Sequence, residues 1–253
     1  MFEINKVVIG GMNGELGVFR IEDGRVVHWP FAAFKSTTKV YEVIAVSQST
    51  YAVSASDHSI SLWDLVKAQL LYKFTDAHSD DIYSICMVQK GILVSVSVDT
   101  TARVWNLASH SLLKTFSNHS GSVLNVIMLN DGQVATASVD FTVQVWHWDT
   151  LQVSLVISTG SDVVEALAQL TESVLATGGS DRVIKTWSLV DGSLLSTLLP
   201  ASHTDHIYRL RLYTWDTLIS TGKDGRLILW QWASGAVTES VQAYSNQTNR
   251  VDV

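Results

Sequence analysis

The sequence predicts an all-β propeller of six four-stranded blades, and three observations carry that prediction. An aspartate stands six residues ahead of a tryptophan in five places: Asp57/Trp63, Asp99/Trp105, Asp140/Trp146, Asp181/Trp187 and Asp224/Trp230. Those aspartates are spaced by 42, 41, 41 and 43 residues, and a period in that range marks a repeat architecture. Each interval holds four short runs rich in β-branched and aromatic residues and bounded by turn formers, the pattern of one propeller blade.

The first unit is a weaker copy, with Asn13 ahead of Phe19 and lying 44 residues upstream of Asp57. The third shows the four runs plainly, over 82–88, 92–97, 102–107 and 111–116, with Gln-Lys-Gly, Val-Asp-Thr and Ala-Ser-His between them. One blade cannot bury both faces alone, so packing around a ring must supply the core. No Gly/Ser/Pro-rich linker interrupts the period and no 3.6-residue periodicity is present, which sets aside separate small domains and helical repeats. Residues 1–253 therefore read as one domain. Met1–Ile4 matches only the end of an innermost strand, and Arg250–Val253 falls where another should begin. The expectation is that the two ends together close a six-bladed ring, the alternative being a fragment of a seven-bladed one. Closure would remove exposed sheet edges.

Composition narrows the function. Hydrophobic residues make up 47% and charged residues 16% of the 253, enough apolar material for a large core. The formal charge is −7 with no Lys/Arg block. Phosphate binding needs clustered basic groups, so no nucleic-acid partner is expected. No apolar run approaches a membrane span. The start, Met1–Lys6, lacks a basic region followed by an apolar core. The single cysteine, Cys86, fits a reducing compartment, so an intracellular location, cytoplasmic or nuclear, is expected.

The motifs SVSVDTTARVWNL (95–107), TASVDFTVQVWHW (136–148), TGGSDRVIKTWSL (177–189) and STGKDGRLILWQW (220–232) resemble the WD40 family over nearly the whole chain. Only Trp63-Asp64 shows the full Trp-Asp pair, and the family's Gly-His is worn to Ala77-His78, Asn118-His119 and Ser202-His203. Each of these histidines nevertheless precedes its Asp by 21 residues.

The resemblance implies a role for the Ser, His and Asp that recur together and that mimic a hydrolase triad. His sits in the loop leading into a blade, Asp in the turn between second and third strands, and a hydroxyl on the second strand links His to the Trp indole. The sets are His78/Ser95/Asp99/Trp105, His119/Thr136/Asp140/Trp146 and His203/Ser220/Asp224/Trp230. A buried indole and imidazole cost free energy unless paired, and three copies of one constellation argue for architecture rather than catalysis. The fifth unit has Gly160-Ser161-Asp162 in place of the His, and the second has Ser-Thr-Thr at 36–38, so these blades are expected to be held less rigidly. The histidines come from different blades, and Cys86, His110 and His147 have no partners at metal-site spacing, so no metal and no cofactor is expected.

Function then belongs to a surface. The resemblance implies docking on the narrow face around the channel, built from the loops leading into each blade and from the Asp turns. Two series map there. One is the residue just inside each innermost strand: Tyr41, Tyr83, Leu124, Val164 and Tyr208. The other flanks the turn Asp: Met12, Ser56, Val98, Val139, Ser180 and Lys223 before it, with Phe141 and Arg182 after two of them. Tyrosines would anchor a partner, and Arg182, Lys223 and Arg226 would add carboxylate or phosphate recognition. Trp29, Trp148, Trp215 and Trp232 are read as blade packing. The expectation is a non-catalytic scaffold for a peptide or protein, such as an adaptor or substrate-recognition subunit. A structural subunit binding through blade sides is the alternative, and no small-molecule substrate is expected.

Overall fold

The computed structural model describes residues 38–64, 67, 69–160, 162–198 and 203–242, and ahead of them the backbone of four strands at 6–10, 15–22, 25–28 and 34–35. Five blades of regular order follow one another from Val40 to Gln242. The first holds β5 (Val40–Ala45), β6 (Thr50–Ala55), β7 (Ile60–Asp64) and β8 (Gln69–Phe74). The next holds β9 (Ile82–Gln89), β10 (Ile92–Ser97), β11 (Ala102–Asn106) and β12 (Ser111–Phe116). Then come β13 (Val123–Met128), β14 (Gln133–Ser138), β15 (Thr142–His147) and β16 (Val153–Ser158), followed by β17 (Val164–Thr171), β18 (Val174–Gly179), β19 (Ile184–Ser188) and β20 (Leu194–Leu198). The last holds β21 (Ile207–Leu212), β22 (Thr217–Gly222), β23 (Arg226–Gln231) and β24 (Ala236–Gln242).

The N-terminal strands, β1 (Lys6–Gly10), β2 (Glu15–Glu22), β3 (Arg25–His28) and β4 (Phe34–Lys35), form a sixth sheet, but β4 pairs β2 rather than extending the meander. Six like blades were expected; among the described residues there are five regular blades and one irregular sheet. The sequence difference is that Asn13 and Phe19 replace Asp and Trp there, so this unit lacks the groups that tie strands together in the others. Met1–Ile4 and Arg250–Val253, on which ring closure was expected to turn, lie outside the described residues, as do Met12 and Trp29.

The core lies between blades, in layers. Trp105 packs with Phe74, Ile82 and Leu93 in one layer and Trp146 with Phe116, Val94 and Val123 in the next. Trp187 packs with Ile157, and Trp230 with Leu198. In each layer the repeat Trp clusters with the last or last-but-one residue of the preceding blade's outer strand. Phe116 stacks on Trp146 with centroids 4.3 Å apart and Phe74 meets Trp105 edge-on at 5.3 Å, both favourable aromatic geometries. The second strand β10 is buried on both faces, whereas the outer strand β24 is exposed along its length. Every outer strand carries an irregularity opposite the repeat Trp, which interrupts an otherwise open edge.

Candidate binding face

Antiparallel order places the loop into each innermost strand and the Asp turn at the same end of a blade. There the side chains form three directional chains. The Trp105 indole donates to Ser95 Oγ at 2.9 Å, that hydroxyl lies 2.7 Å from His78 Nε2, and His78 Nδ1 lies 2.9 Å from Asp99. Trp146, Thr136, His119 and Asp140 repeat it at 3.2, 2.9 and 2.8 Å. Trp230, Ser220, His203 and Asp224 do so at 2.8, 2.7 and 3.0 Å. With Nδ1 donating to carboxylate and Nε2 accepting from hydroxyl, a neutral imidazole satisfies every group. All three His side chains are 0% exposed.

Burial pushes the three rings below the usual imidazole range, against the opposing pull of their aspartates. For Asp99, burial would raise the carboxyl, but hydrogen bonds with His78 and Thr101 and from the Ser79 N–H hold it well below the usual range. Asp140 and Asp224 are lowered in the same way.

The two divergent blades solve the same problem differently. The relay position in the β5–β8 blade is Val53, which cannot accept, and the Trp63 indole donates instead to Ser61 at 2.8 Å. In the β17–β20 blade the relay survives, Trp187 to Thr177 at 2.8 Å. The missing imidazole is replaced by Lys185, whose ammonium bridges Asp162 at 2.9 Å and Asp181 at 2.8 Å. Neither blade is left with an unsatisfied repeat indole, although both lack the His of the other three.

The mouth of the channel is shaped by a register shift near the start of each innermost strand: between Val40 and Glu42, Val123 and Asn125, Val164 and Ala166, Ile207 and Arg209, and opposite Ser97 in β9. The skipped residue leaves the ladder and is re-aimed. Those residues are Tyr41, Tyr83, Leu124, Glu165 and Tyr208. Val164 is therefore corrected: it pairs with Gly179, as Ile207 does with Gly222, and is 3% exposed. Glu165 occupies the place expected for it and meets His206 Nδ1 at 2.6 Å. Tyr41 is also corrected as a contact residue. It is 8% exposed, stacked on Tyr83 at 4.6 Å with its hydroxyl donating to Asp81 at 2.6 Å.

Around that mouth, Tyr83, Leu124, Tyr208, Val98 and Val139 are half-buried, and Phe141, Arg182 and Lys223 are exposed. The residue after each turn Asp has a positive φ in all five blades: His58 61°, Thr100 70°, Phe141 65°, Arg182 65° and Gly225 73°. A phenylalanine in this region is strained, yet Phe141 is 38% exposed. Lys223 lies 3.7 Å from Asp205, and Arg226 is half-buried. The blades thus offer an apolar sector (Tyr83, Val98, Leu124, Val139, Phe141) beside a charged one (Glu165, Arg182, Asp205, Lys223).

Below the mouth, polar side chains stitch neighbouring inner strands. Glu42 accepts the Ile85 N–H at 2.7 Å, Ser84 the Val126 N–H at 3.3 Å, and Asn125 donates to the Glu165 carbonyl at 3.1 Å. Arg209 reaches Glu42 at 3.6 Å. A cavity of about 310 Å³ lies here, lined by Glu42, Cys86, Met87, Asn125, Arg209 and Arg211 among others. One cluster, His58, Asp80 and Asp81, brings three ligand atoms within 4.8 Å of one another. Bonds within the protein account for it: Asp81 accepts from Tyr41, and Asp80 accepts the Asp81 N–H at 2.8 Å. Trp148 packs on the core as expected and Trp232 is half-buried. Trp215, expected to pack, is 83% exposed; it stands at a turn, where no strand among the described residues covers it. Spacing alone could not reveal Glu165, Asp81 or His206, because their positions depend on the bulges and on contacts between blades.

A family model described as WD domain, G-beta repeat, matches residues 68–106 and 110–147. Among curated proteins, the WD repeat domain-containing protein 83 homolog of Dictyostelium discoideum is 21% identical over 104 residues. That match spans 41% of this chain and 31% of the relative, less than a third of its length. Among solved structures, the computationally designed Ika8 protein superposes with a TM-score of 0.73 at 23% identity, over 98% of this chain and 74% of the other. That likeness concerns the fold.

Proposed function

We propose that this chain, a WD40-repeat β-propeller, is a non-catalytic platform that receives a peptide or protein partner on the loop face around its channel mouth, as an adaptor does. Propellers of this family are in general interaction scaffolds. One observation carries the reading: all three triad-like sets lie sealed beneath that face, with both imidazole nitrogens engaged inside the fold. No ring nitrogen is left to take a substrate proton. What faces solvent instead is an apolar sector with Phe141 at its edge, flanked by Arg182 and Lys223. Rigid aromatic side chains on a stiff scaffold are common anchors.

The test compares quantitative affinity purification of the wild type with a Tyr83→Ala/Phe141→Ala variant. Partners lost at unchanged melting temperature support the reading; full retention overturns it. A second reading, assembly through blade sides, has its own observation: Leu70, Leu71, Leu112, Leu113, Leu194 and Leu195 are exposed on outer strands. If Leu71→Ser/Leu113→Ser removes the partners and the face variant does not, the side-on reading replaces the first.

A further inference from the structure

The loop leading into β9 carries three carboxylates: Asp76 and Asp80 are exposed, and Asp81 is half-buried. An oxygen from each of Asp80 and Asp81 and a ring nitrogen of His58 lie within 4.8 Å of one another. The loop is fixed in place. Ser97 Oγ donates to the Asp80 carbonyl at 3.1 Å, the Val98 N–H to the Asp81 carbonyl at 3.0 Å, and the Tyr41 hydroxyl to the Asp81 carboxylate at 2.6 Å. These bonds position the two carboxylates without neutralising them. Among the described residues their one ion-pair partner within 4 Å is His58, whose Nε2 lies 3.9 Å from Asp81. Other carboxylates at this end of the blades are balanced by cations: Asp57 by Lys73 at 2.7 Å, Asp162 and Asp181 by Lys185, and Asp205 by Lys223 at 3.7 Å. Two like charges held this close, one of them open to water, are stabilised by an added cation.

This acidic corner is continuous with the apolar sector of the loop face. Tyr41 stacks on Tyr83 at 4.6 Å while its hydroxyl holds Asp81. From Val98 the surface passes to Ser122, whose Oγ donates to the Val98 carbonyl at 3.3 Å and whose own carbonyl accepts the Val139 N–H at 3.0 Å. Phe141 stands two residues further along the same turn. The corner, Tyr83, Val98, Val139 and Phe141 therefore make one arc across three neighbouring blades. A cationic side chain at the corner, with apolar residues along the arc, complements both parts. Arginine fits better than lysine. Its planar guanidinium presents five donors, enough to bridge two carboxylates, and its face packs on aromatic rings.

We propose that the partner received on the loop face docks an arginine between Asp80 and Asp81, with bulky apolar residues beside it along the arc. This rests on the platform reading above and names the chemistry of its partner. The probe is a phage-displayed library of random peptides, selected on the immobilised full chain and, in parallel, on its Asp80→Asn/Asp81→Asn variant. The wild type should enrich arginine beside aromatic or aliphatic residues, and the variant the apolar residues alone. For a selected peptide, an arginine-to-glutamine change and the Asp80→Asn/Asp81→Asn variant should each weaken binding about tenfold or more, and combined should weaken it little further. Either change should also flatten the salt dependence. Asparagine still accepts from the Tyr41 hydroxyl, so the variant should keep the wild-type melting temperature; should it not, Asp80→Asn alone and the peptide series carry the test. Selection of peptides without arginine, equal enrichment on the variant, or no enrichment overturns the proposal. If Tyr83→Ala/Phe141→Ala abolishes capture and Asp80→Asn/Asp81→Asn does not, the platform reading stands and the arginine is refuted. Saturable binding of Zn²⁺ or Ca²⁺ alone, lost in Asp80→Asn/Asp81→Asn, would also overturn it, making a metal ion the occupant.

Discussion

Replacing Thr136 by Val keeps the shape of the side chain and removes one hydroxyl, but that hydroxyl serves two buried partners. It accepts from the Trp146 indole at 3.2 Å and lies 2.9 Å from His119 Nε2, and Thr136 and Trp146 are both 0% exposed. Each buried polar group left unpaired costs about 1–3 kcal/mol, so the variant should lose roughly 2–6 kcal/mol of stability. In a domain of this size about 3 kcal/mol corresponds to a fall of roughly 6–12 °C in melting temperature. The β5–β8 blade supplies an internal control, because it carries Val53 at this position and turns its indole to Ser61. Ser61 corresponds to Gln144, so Thr136→Val combined with Gln144→Ser should recover part of the loss, while His119 stays unpaired. Urea denaturation of the four proteins forms a double-mutant cycle. A Thr136→Val cost below about 0.5 kcal/mol, the size of an ordinary surface change, would refute the idea that these hydroxyls brace the blades.

Acid should unfold the protein early. The three buried imidazoles have depressed values in the fold, so below about pH 6.5 the unfolded chain binds more protons than the native one. Stability then falls with pH at up to about 4 kcal/mol per unit for three sites. The depressed Asp99, Asp140 and Asp224 act in the same direction at lower pH. Denaturation midpoints at pH 7.5, 6.5 and 5.5 check this, and a flat profile contradicts it. Gly179→Ala should cost about 3 kcal/mol or more, the upper end of overpacking, because an added Cβ would lie 1.9 Å from the Val163 carbonyl oxygen. Its counterparts Ser97 and Ser138 carry side chains in the same register, and thermal unfolding measures the difference. Phe141→Gly removes a side chain held at φ 65°. It should leave stability within about 1 kcal/mol and yet weaken partner capture, which calorimetry beside affinity purification resolves.

The repeat is legible because its signal is covalent spacing. Asp99 and Trp105 must close the same turn and strand as Asp140 and Trp146, so the strands of the β9–β12 blade are readable to within a residue or two. The polar sets are legible for the same reason: His78 lies 21 residues before Asp99 in sequence, and the two are bonded in space. The channel mouth is less so. A bulge adds one residue without altering the hydrophobic pattern, which hides the fact that Glu165, and not Val164, leaves the ladder. Nor does spacing show that Tyr41 is covered by Tyr83 from the next blade, that Lys185 replaces an imidazole between two aspartates, or that Trp215 stands exposed at a turn. Those features are set by contacts between units, which a periodic reading averages away.

Histidine NMR tests most directly whether these side chains support the propeller or act on substrates. On the present account, His78, His119 and His203 are Nδ1–H tautomers, protected from exchange, and titrate below the usual imidazole range while the native fold persists. Three rings that titrate near 6.5 and exchange freely with water would mean that the imidazoles lie open, and the platform reading would be wrong.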